Sequence, residues 1–278
     1  MNDMLRSDIG YKTNPDLAKV VTVVSGKGGV GKSTISANLS LGLAMTGQKV
    51  VVIDADIGLR NLDIILGYSD RIFHNIIDVI EGECTLSDAL IQDKDFPNLS
   101  FLPASQIHEK GSLKGKGFSK IIETLKVEYN YIIIDSPAGI GVGLKNLLPI
   151  TDTALLVVNP DRTSVLDADR TIGVLDDNDV KTTDVVVNRF SIEKAQKEIF
   201  LSLDQIKDIL GLNILGVVPE DDEISESVNT GLPVIKKSWA VSSKAFINIA
   251  RRFTGKSIPL LYIFRPSFMK RLLGRIGM

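Results

Sequence analysis

Apolar residues fall along this chain in short, β-branched and nearly unbroken runs, at residues 20–24, 50–53, 99–102, 131–134, 154–158, 185–187 and 214–218. A strand with one wet face alternates apolar and polar positions. Runs that do not alternate predict strands buried on both faces. Between most of them lie stretches with helical spacing, among them residues 33–45, 118–129 and 203–210. Strand alternating with helix predicts an α/β fold, a doubly wound and mainly parallel sheet with helices on its two faces. No internal repeat and no long Gly/Ser/Pro linker divides the pattern, so one domain is expected over residues 19–254. Residues 1–18 read as an N-terminal extension, 105–117 as a solvated loop, and 255–278 as a linker and tail of separate character.

Composition narrows the classes. Hydrophobic residues make up 44% of the 278, enough for a well-buried core. A single cysteine, Cys84, rules out a disulfide framework and any cluster needing several thiolates from one chain. The net charge of -2 gives the whole molecule no strong pull on nucleic acid, and no nucleic-acid partner is expected. The first 18 residues are polar without an apolar core, and no run reaches the roughly 18 apolar residues that span a bilayer. A cytosolic protein is expected.

One motif carries strong chemistry. Gly26-Lys27-Gly28-Gly29-Val30-Gly31-Lys32-Ser33, followed by Thr34, lies between a predicted strand and a predicted helix. It matches G-x-x-x-x-G-K-[ST] in the context that motif requires. The glycines let main-chain N–H groups curl around phosphate oxygens, and the following helix turns its positive end toward them. Lys32 would reach the β- and γ-phosphates of ATP, and the Ser33 hydroxyl would ligate Mg²⁺. Two further apolar runs end in acids, at Asp54-Ala55-Asp56 and at Asp135-Ser136-Pro137-Ala138-Gly139. The carboxyl ends of parallel strands form the ligand-binding rim of such sheets. Asp54 and Asp56 stand two apart, so a simple continuing strand would put both on one face. An N-capping or loop role for one of them is the plain alternative.

The loop, with its early lysine, resembles the deviant-Walker (ParA/MinD) P-loop family, whose signature reads K-G-G-x-G-K-[ST]. The resemblance implies that Lys27 reaches across a dimer interface to the partner's phosphates, as an arginine finger does; a solvated loop lysine is the alternative. It also implies that Asp56 orients the attacking water, that Asp54 and Asp135 support the Mg²⁺ shell, and that Asn188, Pro219 and Glu220 line the adenine pocket. Longer stretches, DIGLRNLDIILG at 56–67, TLSDALIQDK at 85–94, LPASQ at 102–106, DSPAGI at 135–140 and GVVPEDDEI at 216–224, are similar to the division-site-selection ATPases of that family. The similarity runs from about residue 20 to 252. It implies an ATPase that dimerises on ATP, binds the cytoplasmic face of the membrane and recruits a division inhibitor. A second protein partner then activates hydrolysis. Asp167 and Asp169 would belong to the dimer and partner surface, or else to a solvated acidic face. Gly141 stands where the family usually has glutamate, and the N-terminal extension is atypical of it. A sister group, the flagellar-number ATPases, carries such an extension with a glutamine-containing motif, and residues 1–11 hold no glutamine.

The tail adds a reader for that switch. Arg265, Lys270, Arg271 and Arg275 are unopposed by any acid over residues 260–278. Taking that +4 from the total leaves about -6 for the rest. At 100° per residue, Phe268, Met269, Leu272, Leu273 and Ile276 fall within roughly 140°, with Lys270, Arg271 and Arg275 outside that arc. A short basic amphipathic helix suits an anionic membrane interface; docking on its own domain is the alternative. Its linker, residues 258–264, is unusually apolar, and would either deepen insertion or cover an edge of the fold. A DNA-partitioning relative would need a basic face on a domain of about -6. An electron-transfer reductase would need a second cysteine. A non-hydrolysing, nucleotide-gated scaffold would not need the retained Lys27, Asp54, Asp56 and Asp135.

Overall fold

The computed structural model describes residues 17–58, 61–106, 113, 115–180 and 182–260. Its strands are β1 Lys19–Val24, β2 Val50–Asp54, β3 Ile91–Gln92, β4 Leu99–Leu102, β5 Tyr131–Asp135, β6 Thr153–Val158, β7 Thr182–Phe190 and β8 Ile214–Pro219. They form one sheet in the order β3-β4-β2-β5-β1-β6-β7-β8. Every neighbouring pair is parallel except β3–β4 at one edge. The mainly parallel, doubly wound sheet expected from the unbroken runs is present.

Helices cover both faces. They are α1 Lys32–Met45, α2 Leu62–Leu66, α3 Ile76–Glu81, α4 Leu86–Ala89, α5 Lys116–Glu128, α6 Val142–Lys145, α7 Arg162–Asp176, α8 Ile192–Gln196, α9 Leu203–Leu210, α10 Asp222–Thr230 and α11 Val241–Phe253. The two-residue period of a strand decides which layer each side chain joins. Val21 and Val23 of β1 enter a core with Leu39, Leu43, Phe246 and Ile249 of α1 and α11. Val20 enters the opposite core with Ile121, Ile122 and Leu125 of α5, while Val24 meets Val165 of α7 and Ile206 of α9. Each fully buried side chain of this size contributes about 1.5–3 kcal/mol, so β1, with both faces covered, is the keel of the molecule.

The helix α9 shows how local sequence sets these elements. The Ser202 hydroxyl oxygen accepts a hydrogen bond from the Gln205 N–H while the Ser202 N–H donates one to Gln205 Oε1, a reciprocal capping box. Ile206 and Leu210, four apart, bury on one side, and Gly211 ends the helix.

Two sequence expectations are corrected. The strand run at 50–54 does not continue to Asp56: the chain leaves the ladder after Asp54, and the Asp56 N–H turns back to Asp54 Oδ1 at 3.0 Å. The two acids therefore do not share a strand face. The stretch 105–117 is not solvated loop throughout. Leu113 is buried in the core beside α5, and that helix already begins at Lys116, where Gly117 packs so tightly on Ile80 that a Cβ there would collide with it. One strand had no sequence signal: β3, a two-residue edge strand too short to leave a periodic one.

Candidate nucleotide site

The site lies at the carboxyl end of the sheet, where β1 sits between β5 and β6 and the connections diverge to either side. Such a switch point leaves a crevice above the strand ends. The chain leaves β1 through Ser25, curls through residues 26–31 and enters α1. Helix α1 has no side-chain cap and no acid in its first turn, so its positive end is left for an anion. Gly31 stands in the left-handed region at φ 94°, which an L side chain rarely adopts, and a Cβ there would run into the Asn188 amide. Gly26 permits a different closeness: a Cβ on it would strike the main-chain carbonyl of Asp167 on α7.

The two loop lysines go opposite ways. Lys32 is buried, its Nζ 3.6 Å from Asp135 Oδ1, which also accepts from the Ser36 hydroxyl at 3.0 Å. Lys27 is exposed, and its Nζ reaches Thr163 Oγ1 at the start of α7, 3.4 Å away. Beside it, burial alone would raise the Asp161 carboxyl; the Thr163 hydroxyl, the Ser164 N–H and the Lys27 charge outweigh that and hold it low. Ser33 and Thr34 are half-buried in the first turn of α1, and Val30 is buried under the loop with Gly28 and Gly29 on its exposed rim.

Asp54 and Asp135 end neighbouring strands and face each other in register. Both are 1% exposed. Burial, and then the Asp135 charge, push the Asp54 carboxyl well above the ordinary carboxylate range. Asp54 Oδ2 and Asp135 Oδ2 are buried without a hydrogen-bond donor among the described residues. Two unsatisfied carboxylate oxygens fit a hard cation such as Mg²⁺, which takes one or two carboxylates together with phosphates. Among the described residues no cluster of three or more His, Cys, Asp or Glu could hold a metal alone. Asp56 is buried close by, at 8% exposure.

On the other side of the loop, Gly31, Thr34, Asn188, Pro219 and Glu220 line one cleft of about 370 Å³. Asn188 donates to Val30 O at 2.7 Å, which anchors the loop, while its Oδ1 is buried with no donor among the described residues. Glu220 pairs with Lys194 at 2.7 Å. Arg189, Asp221 and Asp222 line the same cleft; Arg189 was missed because β7 runs past its apolar stretch to Phe190, and Asp221 and Asp222 because they follow β8 at the start of α10. Ser36, which holds Asp135, gave no signal either. Asp167 forms an exposed pair with Arg170 at 3.4 Å, and Asp169 is exposed on the same helix. Gly141 precedes α6 with open space where a Cβ would stand, so glycine there withdraws no packing contact. Phe268, Met269, Lys270, Arg271, Leu272, Leu273, Arg275 and Ile276 lie outside the described residues.

Fold and site together define a P-loop nucleotide hydrolase with a second lysine in its phosphate loop. A ParA family model, described as NUBPL iron-transfer P-loop NTPase, matches residues 16–254. The septum site-determining protein MinD of Synechocystis is 44% identical over 244 residues, 87% of this chain and 92% of that one. Among solved structures, the MinC:MinD cell-division complex of Aquifex aeolicus matches at TM-score 0.80 and 42% identity, covering 87% of this chain and 98% of that one. MinD of Pyrococcus horikoshii, solved with Mg-ADP, matches at TM-score 0.76 and 29% identity, covering 87% and 100%. The chain belongs to the MinD family of septum site-determining proteins, the cell-division ATPases of the ParA-type P-loop class.

Proposed function

We propose that this ATPase dimerises on ATP, rides the cytoplasmic face of the membrane through its C-terminal helix, and there recruits a division inhibitor. One observation carries the dimer: Lys27 faces out of its own phosphate loop while Lys32 is buried within it. An exposed ammonium at the rim would meet the phosphates of a second copy and neutralise charge as they are cleaved. Asp167 and Asp169, on the helix that Lys27 touches, would lie in or beside that interface.

Within one chain, the main-chain N–H groups of residues 28–33 would cradle phosphate oxygens, and Lys32 would neutralise the β- and γ-phosphates. Mg²⁺ would supply charge neutralisation between those phosphates. Ser33 would hold it, with the unsatisfied oxygens of Asp54 and Asp135 behind. Asp56 would orient the attacking water. The buried Oδ1 of Asn188 suits an exocyclic amino group, so Asn188, Pro219 and Glu220 would take adenine.

No helix among the described residues is long and apolar enough to cross a membrane, so attachment would be peripheral. About three turns of amphipathic helix bind a bilayer weakly alone; two joined in a dimer bind with far higher avidity. The Aquifex relative, solved with MinC, supports an inhibitor partner, and the family resemblance supports an activator of hydrolysis.

Lys27→Ala tests the dimer. Light scattering with ATP is expected to show a dimer for the parent chain and a monomer for the variant, while nucleotide still binds through Lys32. An unchanged dimer would contradict the role of Lys27.

A further inference from the structure

A groove of about 590 Å³ lies at the β8 edge of the sheet. Phe190, Ile192, Ala195, Leu203, Ile214 and Val217 line it, from β7, α8, α9 and β8. That volume lies in the range of roughly 300–1,000 Å³ typical of pockets that bury a small ligand. Nothing in the nucleotide chemistry uses it. Its wall includes one residue from far along the chain, Leu260.

The chain is led there by one side chain. Arg252, in the last turn of α11, donates from Nε to Leu215 O of β8 at 2.5 Å. From Nη1 it donates to Pro259 O at 3.0 Å and, more weakly, to Ile258 O at 3.4 Å. An edge strand presents main-chain groups that seek partners. Here a guanidinium joins such a carbonyl to the main chain of the segment that follows the domain. Its several donors let it span three acceptors, which an ammonium at one point would do poorly.

Beyond Leu260 the sequence continues Leu261-Tyr262-Ile263-Phe264 and then breaks at Arg265-Pro266. We propose that residues 261–264 are the occupant of this groove, and that residues 258–264 form a strap, clasped by Arg252, which closes the β8 edge. The segment is contiguous with a residue already on the groove wall, so its effective concentration there far exceeds that of any partner in solution. Extended, four residues reach about 13 Å, enough to cover about four of the six residues of β8. Besides its apolar side chains the groove has Gln196, Ser202, Asp204, Lys207 and Asn213 on its lining, which suits an apolar segment whose one polar side-chain atom, the Tyr262 hydroxyl, needs a partner. The strap would fix the exit of the C-terminal helix at the β8 edge instead of leaving it on a free tether.

Hydrogen exchange on the full chain without lipid tests the strap. Residues 260–264 are expected to exchange at least about tenfold more slowly than in an unstructured peptide of the same sequence, unchanged on dilution. Ala195→Glu, which puts a charge in the groove, and Arg252→Gln, which opens the clasp, should each return those amides to unstructured rates while β1 stays protected. Phe264→Asp, in the strap itself, should do the same without altering the folded domain. Unstructured rates in the parent chain would overturn the proposal, as would protection that survives Phe264→Asp. Protection seen only with phosphatidylglycerol vesicles would assign the segment to the membrane instead. Protection lost on dilution would assign it to a second copy.

Discussion

Asp184 and Gly31 show how single positions are set by their surroundings. Asp184, on β7, is partly buried, and burial raises its carboxyl to about 6 although Lys19 pulls the other way. Unfolded, it returns to the ordinary value of 3.8. Between those values the native state binds more protons than the unfolded chain, so its contribution to stability falls as pH rises through that window and is level above it. Two units would be worth about 3 kcal/mol, but solvent screening of a partly exposed group reduces this to about 1 kcal/mol. Asp184→Asn should therefore raise the melting temperature by about 2–4 °C at neutral pH and leave it nearly unchanged near pH 4. A variant less stable at neutral pH would show that the Lys19 attraction dominates. Gly31→Ala forces a side chain into a left-handed conformation, at about 1–2 kcal/mol, and into the Asn188 amide. A loss of at least about tenfold in ATP affinity is expected by calorimetry, with the circular dichroism of the fold retained.

At the scale of elements, what could be read from the sequence was what repeats. Unbroken apolar runs announced seven strands because burial on both faces leaves no other composition open to them. The phosphate loop was legible because each of its residue types answers a geometric demand. The acids were legible in identity and less so in place. A strand ladder cannot be read to its last residue, and the Asp54 side chain itself captures the Asp56 N–H that would have carried the strand on. The cleft beside Asn188 was half seen, because Asn188 and Arg189 interrupt an apolar run that the backbone nevertheless continues to Phe190. The Lys116–Glu128 helix was found late at its start, since Gly115 and Gly117 look like loop while one of them serves close packing. No pattern foretold the groove at β8, which is made by side chains from four separate elements and a segment from beyond α11. Caps test the local side of this account. Ser202→Ala removes the acceptor for the Gln205 N–H, and urea unfolding should show a loss of about 1 kcal/mol; no loss would mean that packing of Ile206 and Leu210 alone holds α9.

For the whole molecule, the proposed switch at one end of the sheet would act on a tail at the far end of the chain. On the proposed reading, the phosphate loop, the outward Lys27 and the buried acid pair would make one chain an incomplete machine that a second copy completes. Pairing would double the number of amphipathic helices presented to the bilayer, which is how a bound nucleotide would become a location. The central claim is that ATP, through dimerisation, drives membrane attachment by residues 266–278. Co-sedimentation with phosphatidylglycerol-containing liposomes tests it most directly, comparing Mg-ATP with Mg-ADP for the full chain and for a chain ending at Arg265, which keeps the proposed strap. Pelleting of the full chain with Mg-ATP, little with Mg-ADP, and none for the shortened chain in either nucleotide is the predicted result. Equal pelleting in both nucleotides, or pelleting that survives removal of the tail, would contradict it.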